Sequence, residues 1–268
     1  MNTLKHRAGW YGAFFLVSVL CWYTTRTTPP TQPLDSHLLS SLPDQRITTL
    51  NVKQFDAAGM LIHQLTTPFM QHTPDQDKHW LKTPRITITT PNQPITNIQS
   101  QEATAWEGGT RITFQHDVII HHSAYEKNQA GTLTTDEISY IPRQKLATTN
   151  ADTKLDQGST HIRAAHASTT SNTANQLILA IAQGDTTRQA HIWTTTSLKK
   201  PPLHAYADTI RYQPLKHRIE LLGHAKLIQG SQSFSAPVIH YDTLHQHIIT
   251  ARNDHARTQI IIHTPSHS

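Results

Sequence analysis

Histidine is the residue type most able to do chemistry in this chain: 20 of its 268 residues are His. An imidazole can move protons near neutral pH or bind a transition metal through either ring nitrogen. His121 and His122 are adjacent, and His240, His245 and His247 fall within one short stretch. Neither set has the companions that a common zinc site uses. No HExxH spacing occurs, and the one cysteine, Cys21, stands far from both. On a strand, His245 and His247 would share one face, as solvated polar residues do. The reading is therefore no metal and no cofactor, with a His-rich metal-binding module as a rival. Ser, His and Asp are all present, yet there is no GxSxG elbow, no Walker-type loop and no convincing pair of carboxylates at strand ends. The chain reads as a non-enzyme.

Composition narrows the partners. The net charge is only +5, charged residues are 15% of the chain, and no basic run forms a patch, which argues against nucleic acid. Hydrophobic residues are 36%, fitting a thin or open core. A single Cys excludes an intrachain disulfide framework.

The elements that position these residues begin with an apolar run. Lys5, His6 and Arg7 precede the uncharged stretch from Ala8 to Tyr23, which reaches 18 residues with Thr24 and Thr25. That length is at the short end of what spans a bilayer. Trp10, Tyr11, Trp22 and Tyr23 stand where aromatic belts form, and the basic residues place that end in the cytoplasm. A cleaved signal peptide is the rival, but no small-x-small site follows, and Leu20 stands where a lipoprotein site at Cys21 needs a small residue. Residues 1–26 are thus expected to be a transmembrane anchor. Residues 27–45, rich in Thr, Pro and Ser, are expected to be a tether.

After the tether the signal is strand. Ile86–Thr89 and Ile112–Phe114 alternate, the apolar Val118–Ile120 follows, and Gln176–Ala182 reads as a buried strand. One phrase repeats at a fixed offset of 72. Asp136-x-Ile138-x-Tyr140-x-Pro142 returns as Asp208-x-Ile210-x-Tyr212-x-Pro214, and Lys154-Leu155-x-Gln157-Gly158-Ser159 as Lys226-Leu227-x-Gln229-Gly230-Ser231. Ile162 maps to Phe234 and Ala164 to Ala236; a shorter echo joins Ala207…Tyr212 to Ala236…Tyr241, and Ala103 and Trp106 are a weaker opening. From Ile219 to Gln229 apolar or small residues alternate with Glu220, His224 and Lys226, apart from the apolar Leu222 and Ile228, giving one greasy and one mostly wet face. The spacing Ala207, Ile210, Tyr212 shifts parity by one, as a bend in the strand would. Small residues at Ala205, Ala207, Ala225 and Ala236 leave room on the greasy face. Pro201-Pro202 is the expected interior boundary.

Residues 203–242 resemble the OstA-type repeat of the LptA family of lipopolysaccharide export, through Ala207-Asp208, Leu222-Gly223-His224-Ala225, Gln229-Gly230 and Ala236…Tyr241-Asp242. The earlier part resembles the LptC family, through Gly59-Met60-Leu61 with Leu65, Thr83-Pro84, Phe114-x-x-x-Val118-x-Ile120 and Thr134-Thr135-Asp136. His63 and His116 stand where that family would carry an aromatic and a Gly. The resemblance implies an all-β fold: a bent antiparallel β-jellyroll with an open hydrophobic groove behind one N-terminal transmembrane helix. It divides the chain into an LptC-like jellyroll, 46–198, and an LptA/OstA-like module, 199–268. Its implied role is non-enzymatic passage of lipopolysaccharide from an inner-membrane ABC transporter toward the outer membrane, in company with the periplasmic bridge protein LptA or its equivalent. The expected location is the inner membrane, single-pass, with the bulk of the chain periplasmic. Ile112, Phe114, Val118, Ile120, Ile138, Tyr140, Leu155, Ile162, Leu221, Leu227 and Phe234 are the expected groove lining. The alternative is an anchored β-repeat scaffold that docks envelope proteins and binds no lipid.

Overall fold

A computed structural model describes residues 42–91, 93–125, 129–171, 177–194, 201–242, 247–250 and 259–262. The expected anchor, and the tether up to residue 41, lie outside the described residues. Among those residues no helix is long and apolar enough to cross a membrane. They form strands, a few of them joined by a single turn of 3-10 helix, and every pairing is antiparallel. Two compact units result. One runs to Lys127 and takes in Ser139–Arg143; the other comprises Asn128–Ile138 and Gln144 onward.

The first unit contains β1 (Gln45–Phe55), β2 (Leu61–Thr73), β3 (Lys78–Lys82), β4 (Arg85–Ile88), β5 (Thr96–Gln99), β6 (Glu102–Trp106) and β7 (Arg111–His122). The β1–β2 turn is set by Asp56, whose carboxylate accepts the N–H groups of Ala58 and Met60, and by Gly59 at φ +79. The long β2 pairs with β4 along one half and β3 along the other; β7 does the same with β5 and β6. Each long strand bends midway, and the bends align across the sheet. In β1 the ladder skips Thr49 at φ +58, opposite Pro68 of β2, which has no N–H to give. Thr83 (φ +43) separates β3 from β4, and Ser100 and Gln101 separate β5 from β6. His116 and Asp117, at φ +61 and +53, bend β7. His116 thus holds the left-handed backbone that a glycine adopts most easily, which explains why Gly is expected there from the family pattern.

The second unit continues the same plan through β8 (Gly131–Ile141), β9 (Leu146–Thr149), β10 (Thr153–Gln157), β11 (Thr160–Ala164), β12 (His166–Ser171), β13 (Leu177–Gln183), β14 (Ala190–Thr194), β15 (Leu203–Ala207), β16 (Thr209–Gln213), β17 (Arg218–Gln229), β18 (Gln232–Asp242), β19 (His247–Thr250) and β20 (Gln259–Ile262). The last residues of β8 belong to the first unit. Pro201 and Pro202 lie within the second unit, between β14 and β15, which pair from Ala190↔Ala207 to Thr194↔Leu203. One arm of the bent sheet runs β8–β10–β11–β14–β15–β17–β18–β20 and the other β9–β12–β13–β16–β17–β18–β19. The bend passes through Asp208, through Gly223 at φ +75 and through His224 at φ +43. Asp208 fixes it: its carboxylate accepts from Gln189 Nε2 at 3.0 Å and from His224 Nδ1 at 2.7 Å, and its N–H donates to Gly223 O.

The 72-residue repeat is conformational as well as chemical. Pro142 and Pro214 each open a 3-10 turn that ends at a left-handed residue, Lys145 at φ +49 and His217 at φ +48. Gly158 and Gly230 turn at φ +54 and +59, and Ile138 and Ile210 are both buried.

Candidate functional site

Strand register gathers the apolar residues into rows that cross the sheet. In one arm of the second unit, Leu133, Leu155, Ile162, Ile192, Ala205, Leu227, Phe234 and Ile260 are successive cross-strand partners. Four of the eleven expected groove residues, Leu155, Ile162, Leu227 and Phe234, therefore fall in one row. Successive rungs are about 4.8 Å apart, so seven steps carry the row roughly 34 Å. Leu155, Ile162, Ile192 and Phe234 keep part of their surface exposed. In the other arm Ala182, Ile210, Leu221 and Ile239 form a second row, of which Leu221 is 1% exposed.

Between these rows, beside the bend, the first arm carries Ala164, Ala190, Ala207, Ala225 and Ala236. They join Ile210, Leu221 and Ile239 in one core cluster, so the small residues of one arm meet the large ones of the other. Ala205, Ala207, Ala225 and Ala236 were expected to leave room; all four are buried. Their size brings the two arms close at the bend, because a larger side chain there would separate them.

The first unit is built alike. Val52, Leu65, Ile86, Ile98 and Ile120 form a row in one half, and Ile47, Met70, Leu81, Ala103 and Phe114 in the other. Phe114 and Val118 are buried, while Ile112 and Ile120 are half-buried further from the bend. Ile138 is buried in β8, and burial raises the Tyr140 hydroxyl above its ordinary range.

The opposite face of the second unit's arm is wet and aromatic. His161 stacks on Trp193 (4.9 Å), Trp193 on His191 (4.6 Å) and His191 on Tyr206 (4.2 Å), with Arg163 above the Trp193 ring. Burial under its neighbours, aided by the charges of His204 and Arg163, pushes His191 down to about 4.

Of the histidines singled out from spacing, His245 lies outside the described residues. His240 has Glu220 3.6 Å away, and burial beside His121 lowers His122. The residues that the fold does gather are others: His72, Asp77 and His79, whose donor atoms lie within 4.8 Å of one another. Their signal in the sequence is two histidines flanking the Pro-Asp turn at 74–75, the geometry of a cross-strand pair. Ile192 and Leu133 were missed because a row is set by register, which one strand alone does not reveal.

Residues 11–187, more than half of the chain, match the family model of lipopolysaccharide-assembly, LptC-related proteins. The chain belongs to that family. Residues 132–247 of this LptC-related chain also match the LptA/(LptD N-terminal domain) LPS transport protein model, which covers most of the described second unit. It is an LptC-related protein with an LptA-like module. Among solved structures it is similar to LptH of Pseudomonas aeruginosa, described as the LptA-homologous periplasmic component of the lipopolysaccharide transport device. The identity is 22%, over 51% of this chain and 96% of that one, at a TM-score of 0.46. No curated protein matches the LptC-related chain.

Proposed function

We propose that this chain carries lipopolysaccharide, without catalysing a reaction, by laying its acyl chains along the apolar inner face of the bent sheets. Each CH₂ taken out of water is worth about 0.8 kcal/mol, so acyl chains cross an aqueous space only along a lined path. The observation that carries this reading is the row from Leu133 to Ile260: one apolar residue per strand, in register across eight strands. Membership in the lipopolysaccharide-assembly family supports the cargo. In this reading residues 1–26 anchor the chain in the inner membrane and the remainder is periplasmic. The groove receives lipid from an inner-membrane ABC transporter, whose ATP hydrolysis supplies the work. A periplasmic bridge protein, LptA or its equivalent, joins by strand addition at a sheet edge. In this reading the lining is formed by the expected residues that keep exposed surface, Ile112, Ile120, Tyr140, Leu155, Ile162 and Phe234, with Ile192 and Leu133 added, while the fully buried Val118 and Leu221 pack behind it.

Photocross-linking in cells tests it, with the probe at Phe114, Leu155 and Phe234 and at His224, whose side chain is 86% exposed. Lipopolysaccharide adducts at the first three and none at His224 are expected. Adducts to proteins alone, in a folded and well-expressed chain, would overturn the reading in favour of a docking scaffold.

A further inference from the structure

The turn between β2 and β3 sets His72 and His79 directly opposite each other. They lie in the row Gln45–His72–His79–Ala105–Ile112, two residues along from the Met70–Leu81–Ala103–Phe114 row and on the same face. Asp77 ends the turn at φ +43, which returns its carboxylate to the two rings. Its Oδ1 is 3.0 Å from His72 Nε2 and 3.5 Å from His79 Nε2. Two bonds of about 2.0–2.1 Å to one tetrahedral ion hold their donor atoms roughly 3.3 Å apart.

Two further observations call for a cation here. His79 is 7% exposed and its ring nitrogens make no well-formed hydrogen bond, the Asp77 carboxylate standing 3.5 Å from Nε2. His72 has a carboxylate at each nitrogen: Asp44 Oδ1 lies 2.6 Å from Nδ1, and Asp77 stands at Nε2. A divalent ion placed among His72 Nε2, His79 Nε2 and Asp77 Oδ1, which lie within 4.8 Å of one another, would take a lone pair from each. Asp44 then holds the far nitrogen of a ligating histidine, as carboxylates do around metal sites.

We propose that His72 Nε2, His79 Nε2 and Asp77 Oδ1 bind one divalent transition-metal ion of the zinc class, with Asp44 as the orienting partner of His72. Two imidazoles and one carboxylate suit Zn²⁺, whereas Mg²⁺ and Ca²⁺ take oxygen ligands. Bound there, the ion ties β2 to β3 and, through Asp44, to the start of β1. The proposal is independent of lipid carriage, because it concerns only these four side chains.

The test uses the purified full-length protein in detergent, stripped with chelator, titrated with Zn²⁺ and freed of loose metal by gel filtration before elemental analysis. Wild type is expected to retain one Zn²⁺ per chain. Asp77→Asn and His72→Gln should lose it, Asp44→Asn should weaken it about 10–100-fold, and a His121→Gln/His122→Gln double variant should keep it. Co²⁺ loaded in place of Zn²⁺ should give a visible spectrum that Asp77→Asn abolishes. Should His79→Gln fail to fold, Asp77→Asn, on a partly exposed turn, decides the matter. No retained Zn²⁺ in wild type, or equal retention in Asp77→Asn, would overturn the proposal.

Discussion

The two units solve one problem, bending a sheet so that its apolar face lies inside, with different residues. In the first unit hydroxyls and prolines line the bend. Thr67 Oγ1 donates to the Lys82 carbonyl (2.6 Å) and accepts from the Phe69 N–H (3.4 Å), Ser100 Oγ donates to Glu102 O (2.7 Å), and Pro84 is fully buried. In the second unit the first strands still use hydroxyls, with Thr135, Thr149 and Thr153 bonded together. From β11 onward alanines take over. Interrupted strands leave backbone carbonyls without ladder partners, and a Thr or Ser satisfies them locally. In β17 the strand continues through the bend while its ladder to β18 skips Gly223 and His224; their carbonyls accept from the Asp208 N–H and from Gln189 Nε2, and close approach of the arms is the further constraint. The difference teaches that the bend is a property of the whole sheet, whereas its chemistry is chosen strand by strand.

The contrast breaks most readily at Ala207, which is fully buried. Ala207→Leu should destabilise by about 1–3 kcal/mol through overpacking. Hydrogen exchange should show the lost protection in β14 to β17 and none in β1 to β4; loss in the first unit instead would void the distinction. Thr67→Val keeps the shape and removes the hydroxyl, so it should cost about 0.5–1.5 kcal/mol, with faster exchange in β2 and β3 only. A Thr67→Val chain of unchanged stability would mean that the first unit's bend does not need its hydroxyls. A third effect, confined to acid, is at His191, whose pKa burial holds down to about 4 against an ordinary 6.5. As pH falls the unfolded chain takes the proton first, so this contribution is complete above about 6.5 and is lost between 6.5 and 4. His191→Gln should flatten the denaturation midpoint across that window; an unchanged acid slope would assign the sensitivity to other groups.

Much of this was legible in the sequence. Alternation gave the strands, and the 72-residue repeat marked where turns and bends recur, because Pro, Gly and Asp occupy them at fixed spacing. The bends of the first unit were hidden because Thr49, Thr83, His116 and Asp117 adopt left-handed backbone without being glycine; sheet pairing on both sides imposes that conformation. The apolar alternation of 219–229 pointed to the inner face, but which residues share a rung depends on pairing partners far along the chain. The His72–His79 opposition was hidden for the same reason.

The alanine row beside the bend has a mechanical side. Those side chains act as a spacer close to a pivot, while the ends of the arms lie about five residues, roughly 17 Å, away. A spacer thickened by about 1 Å at ~5 Å from the pivot would widen the far ends by roughly 3 Å. The separation of the second unit's arms is thus geared to one methyl group per strand from β11 onward, and a single substitution at the pivot resets the gauge for the residues beyond it.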